Sequence, residues 1–352
     1  MNHPEERLRR IAARFALDGA IERIEGIGHG LINDTFRISC RGRYLLQRLN
    51  THVFPHPAQV MENIARVCRH LAGKPGDSLE LIPTLDGADA LVTDDGQWWR
   101  IYRYIEYSTA HQHCPDDTTA YRAAGMLGRF LRDLSDLPAP PLHQTLPGFH
   151  DTRARLSNLR RAADTDTDSV GRAAQTGATL ERLFQLAPLA NTLERARMPV
   201  RIVHNDTKLS NVLFHERSNA ALCVVDLDTV MPGLALHDFG DMVRSAATTP
   251  DAGRRRLDTG RFEALLGGWL DGLDGLLLET ELDLLASAPQ VITYELALRY
   301  MTDYLEGDHY FKTRAPGQNL ERCRQLLCLL DSMREQAAEM ERIAARCRSR
   351  GA

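Results

Sequence analysis

The chain has 352 residues, of which 43% are hydrophobic and 26% charged, with a net charge of −4. That is the composition of a globular protein large enough for two domains. It gives no reason to expect nucleic acid or an anionic membrane as partner. The first residues, Met1 to Arg10, read as a charged amphipathic helix and not a signal peptide. The most apolar stretch, Leu265–Leu285, is interrupted by Asp271, Asp274, Glu279, Glu281 and Asp283, which excludes a membrane span. The seven cysteines follow no Cys-x-x-Cys spacing and fit a reducing, cytoplasmic setting. His111 and His113, beside Cys114 and Asp116, have the look of a metal motif but read better as a solvated loop.

In chain order, residues 1–17 read as helix. Strands are expected at Ile21–Ile27, Thr35–Cys40, Tyr44–Leu49, Ala90–Thr93 and Trp98–Tyr104, around one helix near Ala58–Leu71 with Val60, Ile64, Val67 and Leu71 at helical spacing. Beyond Tyr107 the pattern turns helical: Thr118–Leu134, then stretches within 151–196, 241–249, 260–286, 288–307 and 317–347. Leu137–Leu142 is a proline-rich connector and Ala162–Gly171 a loop. The expectation is therefore an α+β chain. A small antiparallel sheet with one main helix fills residues 1–107, and a larger, mostly α-helical part fills 108–352.

Two motifs carry the chemistry. Residues 204–211 read His-Asn-Asp-Thr-Lys-Leu-Ser-Asn, and Val-Val-Asp-Leu-Asp follows at 224–228. Apolar runs flank both, which predicts strand–loop–strand. A phosphoryl-transfer loop needs an Asp to orient and deprotonate the acceptor hydroxyl, an Asn five residues on for magnesium, and a second Asp on the next strand pair. Those roles fall on Asp206, Asn211 and Asp226. Turn chemistry alone would not demand this spacing. The order of a β-rich part before an α-rich part matches a bilobal protein-kinase-like fold, with ATP expected between the lobes.

Upstream, Gly26-Ile-Gly-His-Gly30 lies between two strand candidates. There Gly28 and Gly30 would let backbone amides approach phosphates, with Asn33 and Thr35 as further donors. A glycine-rich hairpin turn would look the same. The P-loop and Rossmann fingerprints are absent. Where a strand Lys is expected, the chain offers Gln47 or Arg48, and alternation lets only one face the nucleotide. Glu62 is the candidate helix partner. Lys208 can reach the transferred phosphoryl and supply the missing charge. Arg103 to Tyr107, including Ile105, reads as the hinge that binds adenine. The literal Asp-Phe-Gly at 238–240 lies too far past Asn211 to hold magnesium. It reads instead as the opening of a helix whose Asp238 or Asp241 anchors the catalytic loop or caps the helix.

With these residues in place, the chain resembles the aminoglycoside phosphotransferase/choline kinase superfamily, and within it the N-acetylhexosamine 1-kinases. The matching stretches are Gly28–Phe36, Leu46–Asn50, Pro147–Thr152, His204–Phe214, Val225–Gly233, Asp238–Arg244 and Thr302–Asp308. The resemblance implies ATP- and Mg2+-dependent phosphorylation of the C1 hydroxyl of an N-acetylhexosamine. A neutral sugar needs hydrogen-bonding groups against an aromatic or apolar wall. The candidates are Asp206, Asp228, Thr229, His150, Arg299, Asp303, Tyr304 and Tyr310. Another small-molecule acceptor on the same fold is the first alternative, and a nucleotide-binding pseudokinase the second. A monomer or homodimer is expected.

Overall fold

The computed structural model describes residues 4–27, 32–76, 78–165, 171–251 and 253–351. The chain forms two compact units. Unit 1 comprises Met1–Thr109, Asp133–Pro147 and Leu213–Pro232; unit 2 comprises Ala110–Arg132, Gly148–Val212 and Gly233–Ala352.

Unit 1 opens with helix α1 (Pro4–Ala12) and strands β1 (Arg23–Gly26), β2 (Asp34–Ser39) and β3 (Arg43–Arg48). Helix α2 (Pro57–Leu71) follows, then β4 (Leu81–Ile82), β5 (Leu91–Val92), β6 (Trp98–Arg103) and β7 (Ser108–Ala110). The antiparallel sheet has the order β1-β2-β3-β6-β4, with β5 also on β6. Alternation sends Ile38, Tyr44, Leu46, Trp99 and Ile101 to one face, where they meet Ile11 and Phe15. Complete burial of a side chain such as Leu46 is worth about 1.5–3 kcal/mol. Pro57 sits at the start of α2, where its missing N–H costs nothing, and the expected stripe Val60, Ile64 and Val67 is buried. The helix expected over residues 1–17 stops at Ala12. The two short strands β4 and β7 have no periodic signature of their own, because two or three residues cannot show one.

Unit 2 holds helices α3 (Asp117–Asp133), α4 (Thr152–Thr165), α5 (Arg172–Gln175), α6 (Gly177–Gln185) and strand β8 (Arg201–Val203). Next in the chain, and almost wholly within unit 1, come the paired strands β9 (Val212–His215) and β10 (Ala221–Val224), followed by β11 (Met231–Gly233). Then come α7 (Ala235–Ala246), β12 (Thr248–Asp251), β13 (Arg254–Leu257), α8 (Thr259–Leu273), α9 (Glu279–Leu282), α10 (Ala288–Leu305), α11 (Gln318–Glu335) and α12 (Ala337–Gly351). The helix expected to open around Asp238 and to run within 241–249 is corrected at its end, where it stops at Ala246. It begins at Ala235, and Thr248–Asp251 is a strand paired antiparallel with Arg254–Leu257. Consecutive β-branched threonines before Pro250 favour extended backbone.

Glycines set two helix crossings. A Cβ on Gly268 of α8 would lie 2.1 Å from the Tyr121 carbonyl oxygen of α3. One on Gly240 of α7 would lie 2.7 Å from the Ala288 carbonyl oxygen of α10. Helix α10 is apolar on most of its circumference and packs against α4, α7 and α11, which places it at the centre of unit 2. No described helix is long and apolar enough to cross a membrane, and no described disulfide forms.

Candidate active site

The catalytic-loop motif leaves β8 and enters a short 3-10 turn, Leu209–Asn211. Its backbone is held from α7. The Asp238 carboxylate accepts the His204 N–H at 2.8 Å and the Asn205 N–H at 2.7 Å, and the Asp238 carbonyl accepts the Thr207 hydroxyl at 2.5 Å. The Ser245 hydroxyl accepts the Leu209 N–H at 3.1 Å. Asp238 is thus the anchor anticipated from the sequence, while Asp241 forms an ion pair with Arg244 at 2.7 Å. Burial pushes the Asp238 carboxyl up to about 6, against the pull of His204 and the two amides. Asn205 is left-handed, with φ of 64°. Asparagine tolerates that region better than most residues, and such backbone clusters where function needs a sharp turn.

This turn presents Asp206. Its carboxylate accepts Lys208 Nζ at 2.6 Å and Asn211 Nδ2 at 3.2 Å. The Asn211 amide also donates to the Asp206 carbonyl at 2.8 Å. Burial raises the Asp206 carboxyl, but the Lys208 ammonium outweighs it and holds the group below the usual aspartate range. Asp206, Lys208 and Asn211 therefore form one cluster, with the carboxylate ionised. The Asn211 amide nitrogen faces Asp206, so its Oδ1 is the atom it can present to a cation.

In unit 1, Asp226 follows β10 in the left-handed region, with φ of 66°, and caps the turn Leu227–Thr229. Thr229 is buried in that turn. The turn is tied to α2: Asn63 Nδ2 donates to the Val230 carbonyl at 3.1 Å. A carboxylate and an amide oxygen are hard donors of the kind Mg2+ takes, alongside waters and phosphate oxygens, so Asp226 in unit 1 and Asn211 in unit 2 each carry a suitable donor atom. No group of three or more described His, Cys, Asp or Glu has a metal-holding arrangement, and His111 and His113 join none.

Asp228 has a different environment from the one expected for a sugar ligand. It is 4% exposed and forms an ion pair with Arg100 of β6 at 2.5 Å. Asn33 Nδ2 donates to its other oxygen at 2.6 Å, and Asn33 Oδ1 accepts the Asn50 N–H at 3.0 Å. Gln47 lies opposite Arg100 in the β3–β6 register. Its Oε1 accepts Arg100 Nε at 3.0 Å and Nη2 at 2.8 Å, while its amide donates to the Thr35 hydroxyl at 3.2 Å. Burial would lower the Arg100 pKa, but the Asp228 carboxylate beside it raises it, so the guanidinium stays charged. Arg48 points to the other face and pairs with Asp34 at the surface. Of the two, Gln47 is thus the residue turned into this buried network, and the cation it meets there, Arg100, stands one strand over, on β6. Sequence reading passed over Arg100. Its signal was a single charge inside the apolar run Trp98–Tyr102, where a charge can be buried only if paired.

The other unit 1 candidates separate. Arg103 pairs with Glu80 at 2.6 Å and lies over the Tyr44 ring, and the Ile105 carbonyl accepts the Ser108 hydroxyl at 2.6 Å. Glu62 meets His143 at 2.8 Å instead of a strand cation. Gly28 and Gly30 lie outside the described residues.

In unit 2, Asp303 is 4% exposed and accepts the N–H groups of Tyr310 at 2.7 Å and Phe311 at 2.9 Å, and Asn319 Nδ2 at 2.8 Å. It shapes the 308–311 loop from within. Tyr304 belongs to the core, with Arg172 stacked on its ring. Arg299 lies over the rings of Phe149, Tyr310 and Phe311 at 5.2, 5.6 and 5.5 Å. Tyr310 is 56% exposed, so this loop does present an aromatic surface. His150 is buried, with both ring nitrogens engaged by protein acceptors, Glu295 and the Asn205 carbonyl.

Residues 23–276 match the phosphotransferase enzyme family (APH). The chain belongs to this family. The phosphotransferase is similar in structure to a spectinomycin phosphotransferase in complex with ADP and spectinomycin: TM-score 0.63, 12% identity, covering 98% of this chain and 99% of that one. It is similar to an amicoumacin kinase in complex with AMP-PNP and Ca2+ (0.58, 12%, 96% and 94%). A choline/ethanolamine kinase family protein from Mesorhizobium loti also matches (0.59, 16%, 96% and 99%). At these identities the likeness shows the fold, the expected protein-kinase-like α+β architecture.

Proposed function

We propose that this phosphotransferase moves the γ-phosphoryl of ATP to a small-molecule hydroxyl, and that the hydroxyl is the anomeric one of an N-acetylhexosamine. The observation that carries the reading is the Asp206–Lys208–Asn211 cluster, an ionised carboxylate beside a cation on a backbone fixed by Asp238. ADP and AMP-PNP in two structural neighbours support a nucleotide donor. Asp206 accepts a hydrogen bond from the acceptor hydroxyl and takes its proton late, since phosphoryl transfer passes through a loose transition state. A carboxylate held below its usual pKa is a weak base. The anomeric hydroxyl, more acidic than other sugar hydroxyls, lightens its task. Lys208 stabilises charge on the transferred group. Asn211 and Asp226 would supply oxygen donors for Mg2+, and the ion would neutralise phosphate charge.

Three of the four carboxylates weighed for a polycationic acceptor support a neutral one, and only Glu306 of the four is exposed. Asp228 is paired with Arg100, Asp303 with backbone amides and Asn319, and Asp308 with Arg172 at 2.9 Å. A polycation would need such groups turned outward. Arg299 and the Tyr310 ring offer instead a donor and an aromatic wall, which suit a sugar. The motifs of Asn205–Lys208, Asp226–Gly233 and Thr302–Asp308 support the N-acetylhexosamine in particular.

The test is phosphorus NMR of the product from MgATP with N-acetylglucosamine and with N-acetylgalactosamine, using Asp206→Asn as the control. A phosphate coupled to the anomeric proton, absent with the variant, supports the reading. No sugar phosphate from either refutes the acceptor and directs the search to other hydroxyl compounds.

A further inference from the structure

His150, placed among the sugar ligands by sequence, lies just ahead of α4 with its ring 8% exposed. Its Nδ1 is 2.9 Å from Glu295 Oε1 and its Nε2 is 3.1 Å from the Asn205 carbonyl oxygen. The second Glu295 oxygen accepts the Thr152 hydroxyl at 2.8 Å. A carbonyl oxygen has no proton to donate, and an ionised carboxylate has none either. Both ring nitrogens therefore face acceptors, and a neutral ring, with one N–H, satisfies only one of them. The second imidazole in the neighbourhood, His237, has its ring 4.6 Å away. Charging both rings at that separation would set like charges together in a dry interior.

We propose that His150 is a constitutive imidazolium, held by Glu295, that works as a positioning residue: it grips the Asn205 carbonyl and so sets the plane of the peptide leading into Asp206. Asp238 holds the Asn205 N–H on one side of that residue and His150 the carbonyl on the other. A left-handed Asn205 cannot rotate this peptide without breaking one of the two bonds. The charges around the ring agree with the assignment. From α10, Glu295 favours the cation and Arg299 keeps Glu295 ionised; from α7, Asp238 and Asp241 also favour it, while His237 opposes it. Burial pulls His150 down, but Glu295 outweighs it and the ring sits above its usual value, whereas burial and His150 push His237 down to about 3.

The inference rests on Asp206 as the base, and its test separates the two. Nitrogen NMR of histidine-labelled wild-type protein, with His150→Gln to assign the signal, reads the ring directly from about pH 6 to about pH 9. Both His150 nitrogens are expected to stay protonated well above the point, near about 6.5, where ordinary histidines lose their proton. Loss of the proton in step with ordinary histidines overturns the proposal. These spectra need no turnover, so an imidazolium in a protein inactive on every acceptor would remove the role of Asp206, and with it the purpose of the clamp. The isosteric Glu295→Gln supplies a kinetic arm that requires no His150 variant. Its kcat is expected to fall about tenfold between pH 6 and 8 while the nucleotide KM stays within about twofold. A Glu295→Gln profile identical to that of the wild type overturns the positioning role.

Discussion

The buried pair of Arg100 and Asp228 permits a prediction with a magnitude. Arg100→Met keeps the length of the side chain and removes its charge. Two groups then lose their partner. Asp228 Oδ1 loses its counter-ion, and Gln47 Oε1 loses both guanidinium donors. Asp228 keeps only the Asn33 amide, and at 4% exposure water cannot replace the cation. Removing one member of a buried pair costs about 3–5 kcal/mol. At roughly 2–4 °C per kcal/mol, the melting temperature should fall by about 6–20 °C. Asp228→Asn alone should also destabilise, by stranding Arg100. The double variant Arg100→Met/Asp228→Asn should recover at least about 2 kcal/mol relative to additivity, because no buried charge is left uncompensated. Urea unfolding of the four proteins closes the cycle. A coupling below about 0.5 kcal/mol, or an Arg100→Met protein as stable as the wild type, would refute the claim that this pair ties the Asp226–Thr229 turn to the sheet.

Three further outcomes follow from the same geometry. Lys208→Ala should move the acid limb of the kcat profile to higher pH. Lys208 is what outweighs burial at Asp206, so the pair stabilises the fold above the ordinary aspartate range and loses that contribution as pH falls through the lowered value; an unmoved limb argues against Lys208 as the cause. Gly268→Ala should cost about 1–3 kcal/mol, because the new methyl meets a backbone carbonyl that cannot rotate away, and denaturant titration reads it. Asp303→Ala should release the 308–311 loop and raise the acceptor KM about tenfold with the ATP KM unchanged. Equal rises in both constants would place Asp303 elsewhere in the mechanism.

Much of the fold was legible because periodicity and punctuation are local. The stripe of α2, the strand alternation of β2 and β3, and the strand–loop–strand around 204–224 each sit within one short stretch of the chain. Of the short elements β5 was legible, but β4 and β7 were not: they exist only because a partner strand is present to bond them. The hairpin of β12 and β13 cut short the last residues of an expected helix for the same reason, since strand pairing depends on residues the local pattern does not contain.

The site divides in the same way. Asp206, Lys208 and Asn211 are close because a tight turn joins them, so their spacing in the sequence already stated their proximity. What Asp228, Asp303 and His150 do could not be read from spacing. Each was assigned to the substrate because a polar residue near a catalytic motif looks like a ligand. Tertiary structure gave each a buried partner far along the chain, Arg100, Asn319 and Glu295 respectively. A charge in an apolar interior must be compensated. Sequence by itself determined that Asp206, Asn211 and Asp226 stand at the intervals a phosphoryl-transfer loop requires. Only folding decided which of the remaining charges face inward to a partner, because that depends on which distant strand or helix supplies the opposite charge.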